Sequence, residues 1–133
     1  MIPPFDETGC LSPGLHTATL REVEDRFGQQ SELRRVQMES VRWMVDLAMR
    51  AGVQRIVLNG SFVTDIMEPN DVDCVLLIGR GFPTDPAVEA DLRAGLPFLD
   101  ILLVRRRDFD RMVNVVFATD RFESPKGMVE VIP

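Results

Sequence analysis

Apolar positions recur at helical spacing in some stretches of the chain and run together in others. Leu20, Val23 and Phe27 follow the capping-box pattern Thr19-Leu20-Arg21-Glu22. They predict a short helix that Gly28 ends in the left-handed conformation. Ser31 is an N-cap for a longer helix with Leu33, Val36, Val41, Met44, Leu47 and Ala48 as its apolar stripe and Gly52 as its stop. Trp43 and Met49 lie off that stripe and are free to meet a neighbour or a partner. Residues 55–58 and 71–78 read as short buried strands. Between them lie the turn Asn59-Gly60-Ser61, a stub of helix over 62–67 and the breaker Glu68-Pro69-Asn70. Asp85-Pro86 opens a short helix ended by Gly95, and residues 98–104 form a third strand. Asp108 is expected to cap a helix with the stripe Phe109, Met112, Val113, Val116 and Phe117. Turn residues at Ser124-Pro125-Lys126-Gly127 then lead to a fourth strand over 128–132.

Residues 1–16 are rich in Pro and Gly and show no period. They read as an extended arm, which leaves 17–133 as one domain. The order of helices and strands predicts an α+β fold with a small sheet flanked by helices. No apolar run approaches the roughly 20 residues of a membrane span.

Composition narrows the chemistry. The 133 residues carry 15 bases against 21 acids, a net charge of -6. That balance argues against broad duplex DNA binding, which phosphate neutralisation drives. The cluster Arg105-Arg106-Arg107 with Arg111 could hold a phosphate-bearing partner, but a solvated strand end and helix start is the preferred reading. Two cysteines and no basic-then-apolar leader predict a reducing, cytoplasmic setting. One histidine and two distant cysteines do not make a zinc site of the Cys/His type. Lys126 is the only lysine and stands outside any GxxxxGK[ST] loop, so a Walker A site is absent. His16 lies in the Pro/Gly-rich arm and reads as a hydrogen-bonding residue rather than a triad base. Carboxylates remain in quantity, and they suit a hard divalent ion.

One constellation stands above this background. Gly60-Ser61 is followed, after nine residues, by Asp71-Val72-Asp73 at the start of an apolar strand, and Asp100 sits inside the next. Glycine after a strand lets backbone approach an anion closely, and Ser61 offers an N–H and a hydroxyl to phosphate. Asp71 and Asp73 are two apart on a strand, so they share a face. Paired acids repel unless a cation lies between them. Asp100 among apolar neighbours needs a partner, because an unpaired buried charge is costly. If the two strands are adjacent, the three acids form a two-metal site for phosphoryl transfer. Cys74 alternates to the opposite, core-facing side.

These residues resemble the signature of the polymerase-β-like nucleotidyltransferase superfamily. There an apolar residue, Gly and Gly or Ser precede, at similar spacing, Asp, an apolar residue and Asp or Glu. Gly60-Ser61-Phe62-Val63-Thr64, Pro69-Asn70-Asp71-Val72-Asp73 and the amino end, Pro3-Pro4-Phe5 with Pro13-Gly14-Leu15-His16, are similar to a short bacterial subgroup. The resemblance implies the small mixed sheet of the nucleotidyltransferase fold. It implies that Gly60 and Ser61 hold the triphosphate of an NTP and that Asp71, Asp73 and Asp100 bind Mg²⁺ or Mn²⁺. Asp100 would also help to deprotonate the acceptor. The implied reaction moves NMP to a hydroxyl on a protein, an RNA end or a small molecule, within a toxin–antitoxin or defence pair.

Two departures shape the alternative. Asn59 replaces the apolar residue before Gly60, and Phe62-Val63-Thr64-Asp65 holds an acid where many small members have a base. The chain also has no room for an appended acceptor domain, so the amino-terminal arm, a partner chain or a homo-oligomer would have to complete that pocket. The alternative reading is an inactive module of the same fold that binds a nucleotide or a protein partner. Haloacid-type phosphatases place DxD after an apolar strand, unlike Glu68-Pro69-Asn70 here. Metal-dependent glycosyltransferases need a longer nucleotide-sugar domain.

Overall fold

The capping box at Thr19 forms in full. The Glu22 N–H donates to the Thr19 hydroxyl at 3.2 Å, and the Thr19 N–H donates to the Glu22 carboxylate at 3.1 Å. It starts α1, Leu20–Phe27. A computed structural model describes residues 1–116 and 126–132. Within them, α2 is Glu32–Ala51, α3 is Pro86–Ala94 and α4 is Arg106–Arg111, which runs on into a π-helical turn, Met112–Val116. The strands are β1 Gly14–Thr19, β2 Arg55–Asn59, β3 Val72–Leu77, β4 Leu99–Val104 and β5 Gly127–Ile132. They form one sheet in the order β1-β5-β2-β3-β4, with β1–β5 and β3–β4 parallel and the two central pairs antiparallel. This is an α+β fold with a mixed sheet.

The strand alternation sends side chains to two different cores. One face carries Ile56, Leu58, Val72, Cys74, Leu76, Val129 and Val131 into the main core with α1, α2 and α3. The other carries Val57, Val75, Leu77 and Met128 into a second cluster closed by Phe109 and Val113. At the edge of that cluster Arg55 makes a two-pronged pair with Glu130, at 2.7 and 2.8 Å, and stacks 4.9 Å from the Phe109 ring centre.

Several expectations need correction. The arm of residues 1–16 is not all arm: Gly14–Thr19 is an edge strand parallel to β5. A parallel edge partner needs no alternation that a sequence would display. Gly28 is not left-handed, with φ -102°. A Cβ there would come within 2.9 Å of Met38 Cβ, so close packing is what demands glycine. Gly52 does stop α2 at φ 90°. On α2, Val36 is 42% exposed while Arg34 and Gln37 are buried. The segment packed there presents carbonyl oxygens, so donors replace hydrophobes. Trp43 packs against the main core. The stub over 62–67 is a single 3-10 turn, Ser61–Val63. Arg105, not Asp108, is the N-cap of α4; Asp108 sits in its first turn, where a carboxylate complements the helix dipole. The Val116 side chain, Phe117, Ser124 and Pro125 lie outside the described residues. Among the described residues, no helix is long and apolar enough to cross a membrane.

Candidate functional site

The turn after β2 is built around Gly60. Its φ of 82° and ψ of -164° belong to a region open to glycine alone. A Cβ there would overlap Oδ2 of Asp73, so the backbone lies directly against that carboxylate. The chain then tightens. The Val63 N–H donates to the Gly60 carbonyl at 3.2 Å, and the Thr64 N–H and hydroxyl both donate to the Ser61 carbonyl, at 3.2 and 2.6 Å.

Arg34 holds this turn from inside. Arg34 is 2% exposed, and its guanidinium donates to the carbonyls of Phe27, Phe62 and Thr64, at 3.0, 2.7 and 2.8 Å, and to that of Ile66. Burial pulls its pKa down, and the nearby Asp65 charge opposes that. The planar fork of five N–H groups suits several carbonyls at once. Gln37 adds one donation, to the Pro69 carbonyl at 2.6 Å.

Strand register brings the acids together. Asp73 is the partner of Asn59 on β2 and of Asp100 on β4. In both pairings the partners point to the same side of the sheet, that of the second cluster. Asn59, Asp73 and Asp100 therefore form a row across three strands. The register rests on the entry to β4: Phe98 has φ 72°, and its carbonyl accepts from the Val72 N–H at 2.7 Å. Asp71 is exposed, one residue before β3. Asp100 is exposed too, contrary to its expected burial, because β4 is an edge strand. Its charge carries little of the predicted desolvation cost.

Asp73 carries the electrostatic load. Partial burial pushes its carboxyl pKa up; Asp100 and, to a lesser extent, Asp71 push it further, and Lys126 opposes them. Lys126 immediately precedes β5, which pairs with β2. That pairing returns the lysine to the Gly60 end of the sheet. The sequence signal was its position just ahead of a strand, which means little until the strand's neighbour is known. Asn59 was also missed as a site residue. It is fully buried, and neither its Oδ1 nor its Nδ2 has a hydrogen-bond partner among the described residues. The signal was there: an amide where an apolar residue was expected.

The other candidates fall elsewhere. Cys74 is buried on the main-core face, and burial drives its thiol pKa far up, so it is inert there. His16 lies in β1 with Nε2 2.8 Å from the Ser12 carbonyl. Residues 105–107 and Arg111 are exposed around α4. A polar cleft of about 430 Å³ between α1 and α2 contains the mutually paired Glu24 and Arg42 and does not touch the acids. Among the described residues, no three His, Cys, Asp or Glu side chains are grouped closely enough to hold a metal ion.

The donor set can still be weighed against a cation. Asp73 and Asp100 are neighbouring hard oxygen donors, and burial together with Asp100 disfavours the charged form of Asp73. These two would hold Mg²⁺ or Mn²⁺, whereas Asp71, exposed ahead of β3, is not grouped with them. No curated protein and no solved structure matches the chain. Residues 3–132 match a family model described as a family of unknown function, DUF6932, and the chain belongs to that family.

Proposed function

We propose that this protein is a divalent-cation-dependent nucleotidyltransferase that moves NMP from an NTP to a hydroxyl acceptor and releases pyrophosphate. The observation that carries the reading is the in-register pair Asp73–Asp100 with the Gly60 backbone closed against Asp73. Gly60 has no side chain and its backbone lies against the Asp73 carboxylate, so a phosphate there would need a cation between it and Asp73, with Ser61 next in the chain. Mg²⁺ or Mn²⁺ at the acids would polarise the α-phosphate and offset the charge of the acceptor oxygen and leaving group. Asp73 anchors this cation from β3, between β2 and β4. Asp100, exposed at the sheet edge, would accept the acceptor's proton. Lys126 supplies the fixed positive charge that Phe62-Val63-Thr64-Asp65 lacks.

The acceptor is a protein, an RNA end or a small molecule, and a toxin–antitoxin or defence pair is the setting that the motif suggests. Label transfer from α-labelled NTPs to a cellular lysate tests the reaction. Protein- or RNA-linked label that disappears with Asp73→Asn supports it; bound NTP without transfer sinks it in favour of a binding module. The absence of a three-acid cluster among the described residues is the observation that favours this second reading.

A further inference from the structure

The Asn59 amide is the least explained group in the fold. It ends a strand whose three preceding residues, Ile56, Val57 and Leu58, are apolar and buried. It is itself fully buried, and both ends of its amide lack partners among the described residues. Gln37, the other buried side chain with an orphaned atom among the described residues, still donates through its Nε2. Buried amides are normally hydrogen-bonded, and one that is not points to a missing water or ion. A leucine would fill the position without that cost.

The register says what the amide faces. Asn59 stands beside Asp73, and Asp73 beside Asp100, all on one face. Neighbouring strands lie about 4.8 Å apart, so the ends of this row are about 10 Å apart. One cation cannot touch both ends directly. Seated between Asp73 and Asp100, it reaches Asn59 only through a coordinated water. Mg²⁺ suits this because it keeps several waters when bound. A water between Asn59 and Asp73 would also have the polar partners that a buried water requires.

We propose that Asn59 is a positioning residue of the carboxylate site: its Oδ1 accepts a hydrogen bond from a water of the bound cation and orients that water against Asp73. The proposal rests on the cation-binding part of the reading above and adds a β2 residue to it. The amide satisfies the cation's hydration shell from the buried side of the row, while Asp100 faces solvent.

The test uses Mn²⁺ alone with the full chain, and electron paramagnetic resonance counts free ion. Wild type, Asn59→Leu and Asp73→Asn are compared, with the thermal midpoint of each recorded without metal. The expected result is Mn²⁺ binding by wild type, loss of it in Asp73→Asn, and binding weakened about ten- to a hundredfold in Asn59→Leu. Asn59→Leu should also melt higher than wild type without metal, which a merely structural role for the amide would reverse. If Asn59→Leu binds Mn²⁺ as wild type does while Asp73→Asn does not, the inference about Asn59 is overturned and the carboxylate site stands. If wild type binds no Mn²⁺, both fall. Should Asn59→Leu not fold, a crystal of wild type soaked in Mn²⁺ decides: a manganese-bound water within hydrogen-bond distance of Asn59 Oδ1 supports the inference, and its absence there overturns it.

Discussion

Asp73 and Asp100 stand side by side on the parallel pair β3–β4, one partly buried and the other in solvent. The asymmetry decides which of them is tuned. Burial acts first on Asp73, and the neighbouring carboxylates add to it against Lys126. Its folded pKa is therefore above its unfolded value.

The pH dependence follows from that sign. An acid with a raised folded pKa binds its proton more readily in the folded state. Its penalty is absent below the unfolded value, about 3.9, and grows as pH rises through the folded pKa. Asp73→Asn should thus raise the metal-free melting temperature at pH 7 by a few degrees, and the gain should vanish below about pH 4. Thermal scans of both proteins across pH check this. A variant less stable than wild type at pH 7 would contradict the electrostatic reading.

Gly60→Ala should destabilise the fold by about 2–4 kcal/mol, from a backbone region closed to alanine and from the clash with Asp73 Oδ2. Pairing it with Asp73→Ala should recover the clash part but not the backbone part. Urea unfolding of the two single variants and the double variant gives the coupling directly.

Arg34→Met should cost about 3 kcal/mol or more, since it leaves the carbonyls of Phe27, Phe62, Thr64 and Ile66 without their shared donor. Arg34→Lys should rescue little, because a single ammonium cannot reproduce the fork. Hydrogen exchange should show the loss concentrated in residues 61–66. An even loss across the sheet would contradict the clamp.

Cys74 should resist thiol reagents in the native protein, while the partly exposed Cys10 reacts. Titration with a chromogenic disulfide should count one fast thiol, and a second only in denaturant. Fast reaction of both would place Cys74 on the wrong face of β3.

Much of the site was legible in the chain because it depends on local pattern. The Thr19 box, the Asp85-Pro86 start, the glycine stop at Gly52 and the apolar runs of β2, β3 and β4 all rest on neighbours within a few residues. The alternation along β3 was enough to send Cys74 and Asp73 to opposite faces. What escaped depends on pairing between distant segments. β1 became a strand because β5 lies beside it, and Lys126 came to Asp73 because β5 pairs with β2. Asp100 is exposed because β4 ends the sheet, with no strand on its outer side among the described residues, which no reading of its apolar flanks would reveal. Arg34 and Gln37 are buried by the carbonyls of residues 61–69, a tertiary demand that overrides the apolar stripe.

The central claim is that Asp73 anchors a cation that holds a nucleotide against Gly60. Thermal stability with Mg²⁺ and each NTP in turn tests it most directly, in wild type and in Asp73→Asn. The claim predicts a rise in the wild-type melting temperature with Mg²⁺ and at least one NTP, worth about 2.7 kcal/mol at a hundredfold excess over Kd. It predicts no such rise for Asp73→Asn, although that variant starts from a higher baseline. A wild-type melting temperature unmoved by every cation and NTP pair would contradict it.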